Sequence, residues 1–352
     1  MRFRAAQSSR YASARQYRVL VLAAVLLFPV TGEGPPAGSA HAQSTEIKSL
    51  LKKQVQDQHL VGITAIVIRS NRIVGIGTAG VKHLGESTPI GSGDMWHLGS
   101  DTKAITATLI ARLVEAGKLS WTATPPEIFP ELKGTIHPAF RHITIEQLLS
   151  HHAGIPSFSK VEAWPKLSGS VVEQRYQFTA LVLRNAPTIT PGTKGLYSNG
   201  GFVIAAAMAE RSTGSSWEDL VTSRVLEPLG MHSIFGFPLL ADRTQPWGHV
   251  ETQKGFKAVS GGAVQLPGYL LPAGGMAMAL GDYSRFLQMN LKGLRGEDDG
   301  FLSAKTVQRL HSSPMQDEYA LGWGASQIGG VRSSTHAASA GSFYALVALA
   351  EP

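Results

Sequence analysis

Trp96-His97-Leu98-Gly99-Ser100-Asp101-Thr102-Lys103, running on into Ala104-Ile105-Thr106-Ala107-Thr108-Leu109-Ile110-Ala111-Arg112-Leu113-Val114-Glu115-Ala116-Gly117, is the stretch on which the fold turns. Ile105, Leu109, Ile110, Leu113 and Val114 recur at intervals of three to five, which predicts a helix over 100–116 buried on much of its surface, with Gly117 as its stop. Ser100 and Lys103 stand at its opening. Residues i and i+3 share a helix face, so the ammonium can lie beside the hydroxyl. Free N–H groups and the positive dipole end favour charge developing there. A weakly acidic hydroxyl needs such a neighbouring base to attack a carbonyl. Ser-x-x-Lys also occurs at Ser49/Lys52, inside an exposed helix, and at Ser157/Lys160, in a polar loop after Pro156. Only Ser100/Lys103 follows a glycine and opens a buried helix.

Working outward, Tyr197-Ser198-Asn199 lies in a glycine-rich loop (Pro191-Gly192, Gly195, Gly200-Gly201) that leads into another helix. A phenol beside cations can accept a proton, because neighbouring positive charge stabilises the phenolate. Asn199 can donate to a substrate carbonyl and accept from Lys103. Three other patterns fail on context. Gly75-x-Gly77-x-x-Gly80 fits the dinucleotide fingerprint, but strand-like Val81 follows where a helix should open. Ala337-Ala338-Ser339-Ala340-Gly341 imitates a nucleophile elbow, yet no His follows Ser339. His151-His152 has no ligand partner at metal-site spacing and reads as loop structure.

The chain has 352 residues, a formal charge of +7 and no Cys, which rules out disulfides, thiolate metal sites and Cys nucleophiles. Residues 1–42 carry five Arg (Arg2, Arg4, Arg10, Arg15, Arg18) and one acid, Glu33, leaving 27 bases against 24 acids in the remainder. Basicity is thus mostly a leader, and a nucleic-acid partner loses its support. A basic start, an apolar run Val19–Val30 and the small-x-small end Ala40-His41-Ala42 have the layout of a signal peptide over 1–42. Twelve apolar residues are too few for a membrane helix, which needs about 20. The expectation is a periplasmic or secreted monomer that starts near Gln43 and touches no membrane beyond its leader.

In the mature chain, Thr45–Gln56 predicts a surface helix capped by Ser44 or Thr45, and Val61–Ile68 with Arg72–Val81 a hairpin around Ser70-Asn71. Helices are expected at Thr144–His151, Gly201–Arg211, Trp217–Leu226 and from Asp282, with helical and Pro/Gly signals through 121–280. Tyr319–Ala325, a stretch through His336 and Ser342–Ala350 read as strands. Strands at both ends with helices between predict an α/β (α+β) fold, with a sheet domain from 43–99 and 281–352 and a mainly helical domain over 100–280.

Taken together, these elements resemble the family of class C β-lactamases, serine-type D-Ala-D-Ala carboxypeptidases and related esterases and amidases. The likeness runs from about Gly62 to the end. Besides Trp96–Lys103, it rests on Glu115-Ala116-Gly117-Lys118-Leu119-Ser120, Ile145-Glu146-Gln147-Leu148-Leu149-Ser150-His151 and Pro191-Gly192-Thr193 with Tyr197-Ser198-Asn199. Glu227-Pro228-Leu229-Gly230-Met231, Pro272-Ala273-Gly274-Gly275 and Tyr319-Ala320-Leu321-Gly322-Trp323 extend it. The resemblance implies a β-lactamase/transpeptidase-like antiparallel sheet flanked by helices, and an acyl-enzyme on Ser100. Lys103 and Tyr197 would handle the proton, Asn199 would orient substrate and Lys103, and the N–H groups of Ser100 and Ser339 would form the oxyanion hole. The implied substrate is a small molecule or a peptidoglycan-derived peptide, with no metal or cofactor.

Two departures stand out. The family's third motif is matched by His336-Ala337-Ala338, with Ala in the glycine place. Ala338 is expected to crowd the acyl pocket, and a mostly neutral His336 to anchor a carboxylate more weakly than Lys, shifting the expectation toward esters or peptides. The family also continues past the strand matching Ser342–Ala350 with a further strand, lying mid-sheet, and a helix. A chain that stops at Pro352 is therefore expected to be a truncated member, impaired in folding or activity.

Overall fold

The computed structural model describes residues 38–69, 71–260 and 265–351. It opens with α1 (Gly38–Asp57), seven residues before the Thr45 start expected from the sequence. Ala40, Ala42 and Gln43 are good helix formers that the leader reading had set apart. The rest of that leader, 1–37, lies outside the described residues. β1 (Gly62–Arg69) and β2 (Arg72–Gly80) form the expected antiparallel hairpin, with Asn71 at φ +64° in its turn. Gly75, Gly77 and Gly80 therefore sit in a strand. Ile47, Leu51, Leu60, Ile63, Ala65 and Ala79 seal α1 onto the hairpin as a small core of their own.

β3 (Met95–His97) leads through a 3-10 turn at Gly99–Asp101 into α2 (Thr102–Glu115). Ile105, Leu109 and Ile110 are fully buried there, and Gly117 (φ +66°) ends the segment as expected. α3 (Pro125–Ile128), α4 (Ile145–Leu149), α5 (Val171–Arg184), α6 (Asn199–Thr213) and α7 (Trp217–Val221) follow. Hydroxyl caps fix several starts: Thr144, Ser170, Ser198 and Ser216 each accept a backbone N–H from the first turn. α6 is buried from Gly200 to Glu210, and with α2 it forms the centre of the main core. The helix expected over Trp217–Leu226 changes to π geometry at Thr222–Leu226.

Residues 230–280 depart from the helical expectation. β4 (Ile234–Phe235), α8 (Pro238–Ala241), the hairpin β5 (Gly248–Thr252) and β6 (Gly255–Val259), α9 (Leu271–Gly274) and β7 (Met276–Ala279) succeed one another. Met and Ala are helix formers, but β7 pairs with β3 on one side and β4 on the other, and tertiary pairing overrides propensity. α10 (Leu280–Leu294) and α11 (Ala304–Leu310) precede the closing antiparallel sheet, ordered β10 (Tyr344–Ala350), β9 (Val331–Ser339), β8 (Gly324–Ile328).

The strand expected from Tyr319 begins only at Gly324. Tyr319 makes an isolated bridge, and Gly322 turns the chain at φ +82°. A Cβ at Gly322 would lie 2.8 Å from the carbonyl oxygen of Lys103, so this loop presses directly on α2. Among the described residues β1–β2 and β8–β10 are separate ladders. The fold is mixed α/β with antiparallel sheets and helices, as the sequence predicts.

Candidate active site

Three segments distant in sequence meet at Ser100. Lys103 projects from the first turn of α2, its Nζ 3.1 Å from Ser100 Oγ. The Tyr197 hydroxyl donates to the same Oγ at 2.7 Å. Asn199, the first residue of α6, accepts from Lys103 Nζ through Oδ1 at 2.7 Å, and the carbonyl of Ala273 in α9 accepts from it at 2.6 Å. Ser100 is half-buried, Lys103 has no exposed surface, and Tyr197 is 38 % exposed with its hydroxyl turned inward. Ser100, Lys103, Tyr197 and Asn199 thus converge as read from the sequence.

Burial holds the Lys103 ammonium well below the ordinary lysine value, while the charge of Asp101 pulls the other way. Burial likewise raises Asp101 well above the carboxylate range, with Lys103 opposing, and neither carboxyl oxygen has a hydrogen-bond partner among the described residues. Burial also raises the Tyr197 phenol, opposed by its bond to Ser100 and reinforced by Asp101. The phenolate expected from the sequence is therefore disfavoured. Burial thus favours the neutral phenol at Tyr197 and the neutral amine at Lys103.

The Ser339 backbone comes close to Gly99, the residue before Ser100, where a side chain would obstruct it. Gly99 takes φ +51°, and a Cβ there would lie 3.2 Å from Ala338 Cβ and 3.3 Å from the Ser339 nitrogen. The end of β9 is thereby seated against the turn that carries Ser100. Ala338 is buried, and its methyl lies 3.2 Å from where a Cβ at Gly99 would stand. The Ser339 side chain accepts from Gly341 N–H.

His336 shares the buried face of β9 and is 6 % exposed. Its Nδ1–H donates to Gly322 O at 2.9 Å, and burial, aided by the Lys103 charge, lowers it to about 4. Burial thus favours the neutral ring, and the side chain is turned inward.

Several supporting groups carry no signal in sequence. Ala273 contributes only its carbonyl. The Phe158 carbonyl accepts from both Asn199 Nδ2 (3.2 Å) and Trp164 Nε1 (3.0 Å), fixing the amide that faces Lys103. His97, stacked on Phe237, accepts the Gly99 N–H through Nδ1 and is lowered to about 4 by burial. No cluster of three metal-ligating side chains occurs among the described residues.

The Beta-lactamase family model matches residues 47–349. Among curated proteins, the chain is 28 % identical to penicillin-binding protein 4 of Amycolatopsis lactamdurans over 46 % of this chain and 41 % of that protein. It is 24 % identical to a beta-lactamase of Escherichia coli K12 over 72 % and 61 %, and 23 % identical to a putative D-alanyl-D-alanine carboxypeptidase of E. coli O157:H7 over 84 % and 75 %. The first two are thus matched over 41 % and 61 % of their own length. In fold, the chain is similar to an octameric penicillin-binding protein homologue from Pyrococcus abyssi, with TM-score 0.71, 22 % identity and coverage of 87 % and 70 %. SurE is similar at TM-score 0.72, 21 % identity and coverage of 89 % and 70 %. With the match spanning nearly all the described residues, this chain belongs to the Beta-lactamase family.

Proposed function

We propose that this chain is an exported serine hydrolase that forms an acyl ester on Ser100 and acts on uncharged esters or amides. The observation that carries the reading is the partner set of Lys103. Asn199 Oδ1 and Ala273 O can only accept, so they occupy two N–H bonds. In the neutral amine, which burial favours, the remaining tetrahedral position is a lone pair facing Ser100 Oγ. The Ser100 proton passes to Nζ as Oγ bonds to the substrate carbonyl carbon. The tetrahedral oxyanion is held by the N–H groups of Ser100 and Ser339, each such donor commonly contributing about 10²–10³ in rate. As the C–O or C–N bond breaks, Tyr197 gives its proton to the leaving atom and recovers one from the Lys103 ammonium. Water then attacks the acyl carbon as its proton passes by way of Tyr197 to Lys103, and Oγ leaves as it takes that proton back from Lys103, restoring the Ser100 hydroxyl.

The preference for uncharged substrates rests on His336, whose ring is buried, neutral and bonded to Gly322. A neutral p-nitrophenyl butyrate is expected to be turned over in preference to nitrocefin, and Ser100→Ala to lower turnover on the order of 10⁴-fold or more. Equal hydrolysis by wild type and Ser100→Ala contradicts the enzyme, and a stable adduct without turnover identifies a penicillin-binding sensor instead. Export is supported by the basic, apolar and small-residue order of residues 2–42. N-terminal sequencing of periplasmic protein checks it; product found only in the cytosol with Met1 intact contradicts it.

A further inference from the structure

The sequence singled out His151-His152 as a pair without a metal partner, and the structure gives each ring separate work. His152 turns to Ser150 Oγ (3.2 Å) and to Asp317 (2.7 Å). His151 turns the opposite way, toward the arm that carries Tyr197. Its carbonyl accepts the N–H of Leu196 at 2.8 Å, and its Nδ1 accepts the N–H of Ser198 at 3.1 Å. These two donors flank Tyr197 in sequence, so one residue grips the chain on both sides of the phenol. The His151 ring also packs against Tyr197 and Tyr319, with centroids 4.4 and 4.3 Å away, and those two rings meet each other edge-on at 6.3 Å. His151 is 3 % exposed.

This grip requires an uncommon backbone. His151 takes φ +65°, a left-handed conformation that few side chains accept and that Asn and His tolerate better than most. In that conformation its carbonyl and its Nδ1 both meet the Leu196–Ser198 arm. Nδ1 must be the unprotonated nitrogen, since a backbone N–H can only donate.

We propose that His151 is the positioning residue for Tyr197, clamping residues 196–198 so that the phenol hydroxyl stays on Ser100 Oγ. The proposal rests on the hydrolase reading above. His151 touches neither Ser100 nor the reacting atoms; it acts through Tyr197. A misplacement of about 1 Å in such a group can cost about 10²-fold in rate.

Two variants that both permit the left-handed backbone separate the clamp from mere folding. His151→Gly keeps the conformation and removes ring and acceptor, whereas His151→Asn returns an acceptor oxygen near the place of Nδ1. We expect His151→Gly to lower kcat for p-nitrophenyl butyrate about 10- to 100-fold with KM within about threefold. His151→Asn is expected to recover at least about tenfold of that loss. In a Tyr197→Phe background, His151→Gly should cost little more, because the two changes remove one function. Equal kcat for His151→Gly and wild type overturns the clamp, as does full additivity with Tyr197→Phe, or a loss that His151→Asn does not restore. If a variant does not fold, the remaining one in the Tyr197→Phe background still decides additivity. Wild-type activity equal to Ser100→Ala would instead overturn the hydrolase reading, so the two failures are distinguishable.

Discussion

At Ser100 the chemistry depends on whether the neighbouring amine is neutral, and Asp101 acts on that balance. Its charge raises Lys103 while burial lowers it. Lys103 must be unprotonated to accept, so kcat/KM falls as the pH drops through its ionisation. Removing the carboxylate with Asp101→Asn is expected to move that acid limb to lower pH, read from kcat/KM between pH 4 and 9; a limb moving to higher pH contradicts it. Gly99→Ala places a methyl against Ala338 and the Ser339 backbone at positive φ, so activity should drop at least about tenfold as Ser339 is pushed from Ser100. Retained activity in Gly99→Ala contradicts that seating. Ser100 and Lys103 were legible because a three-residue spacing on a helix is a geometric statement. Tyr197 and Asn199 were legible because a polar tripeptide stood in a glycine-rich loop. Ala273 and Phe158 were not, since they act through carbonyls and any side chain supplies one. The burial that opposes a Tyr197 phenolate is not visible from loop position.

Among the elements, α5, α6 and α7 are joined by a buried guanidinium. Arg175 Nε donates to Glu210 Oε1 at 2.9 Å, Nη2 to Glu218 Oε2 at 2.6 Å and Nη1 to Gly268 O at 3.2 Å. Glu210 Oε1 also accepts the Trp217 N–H at the start of α7. Arg175→Met leaves Glu210 buried without a cation, and a loss of about 3–5 kcal/mol is expected in urea unfolding. An unchanged midpoint would show that the ionic link contributes nothing to helix association. Two of the helices in this link were readable in sequence, as the helices expected at Gly201–Arg211 and Trp217–Leu226. The hairpin β5–β6 and strand β7 were not, because Gly248–Thr252 lacks clean alternation and Met276–Ala279 is built of helix formers. Their partners are distant, and pairing across such separations leaves little local trace.

For the molecule as a whole, the same burial that tunes the site makes it sensitive to acid. His97 and His336 are lowered to about 4, and His311 to about 3, chiefly by burial. Between pH 6.5 and 4 the unfolded chain binds protons at these rings that the folded chain refuses. Stability therefore falls as pH drops through that window, by about 2 kcal/mol per imidazole at pH 5. A thermal midpoint clearly lower at pH 5 than at pH 7 is expected, and a flat response contradicts it. The α/β class was legible because strand patterns at both ends enclose helical ones; the β1–β2 hairpin was legible too, whereas the pairing of β7 with β3 and β4 emerges only from tertiary contact. Ser100 and Lys103 on one segment and Tyr197 on another converge in this fold. The most direct test of that convergence is the intact mass of the protein after brief exposure to a fluorophosphonate probe, followed by peptide mapping. One adduct on the peptide containing Ser100, absent in Ser100→Ala and slowed in Lys103→Ala, is the expected result. Labelling that persists in Ser100→Ala, or that Lys103→Ala leaves at full rate, contradicts the account.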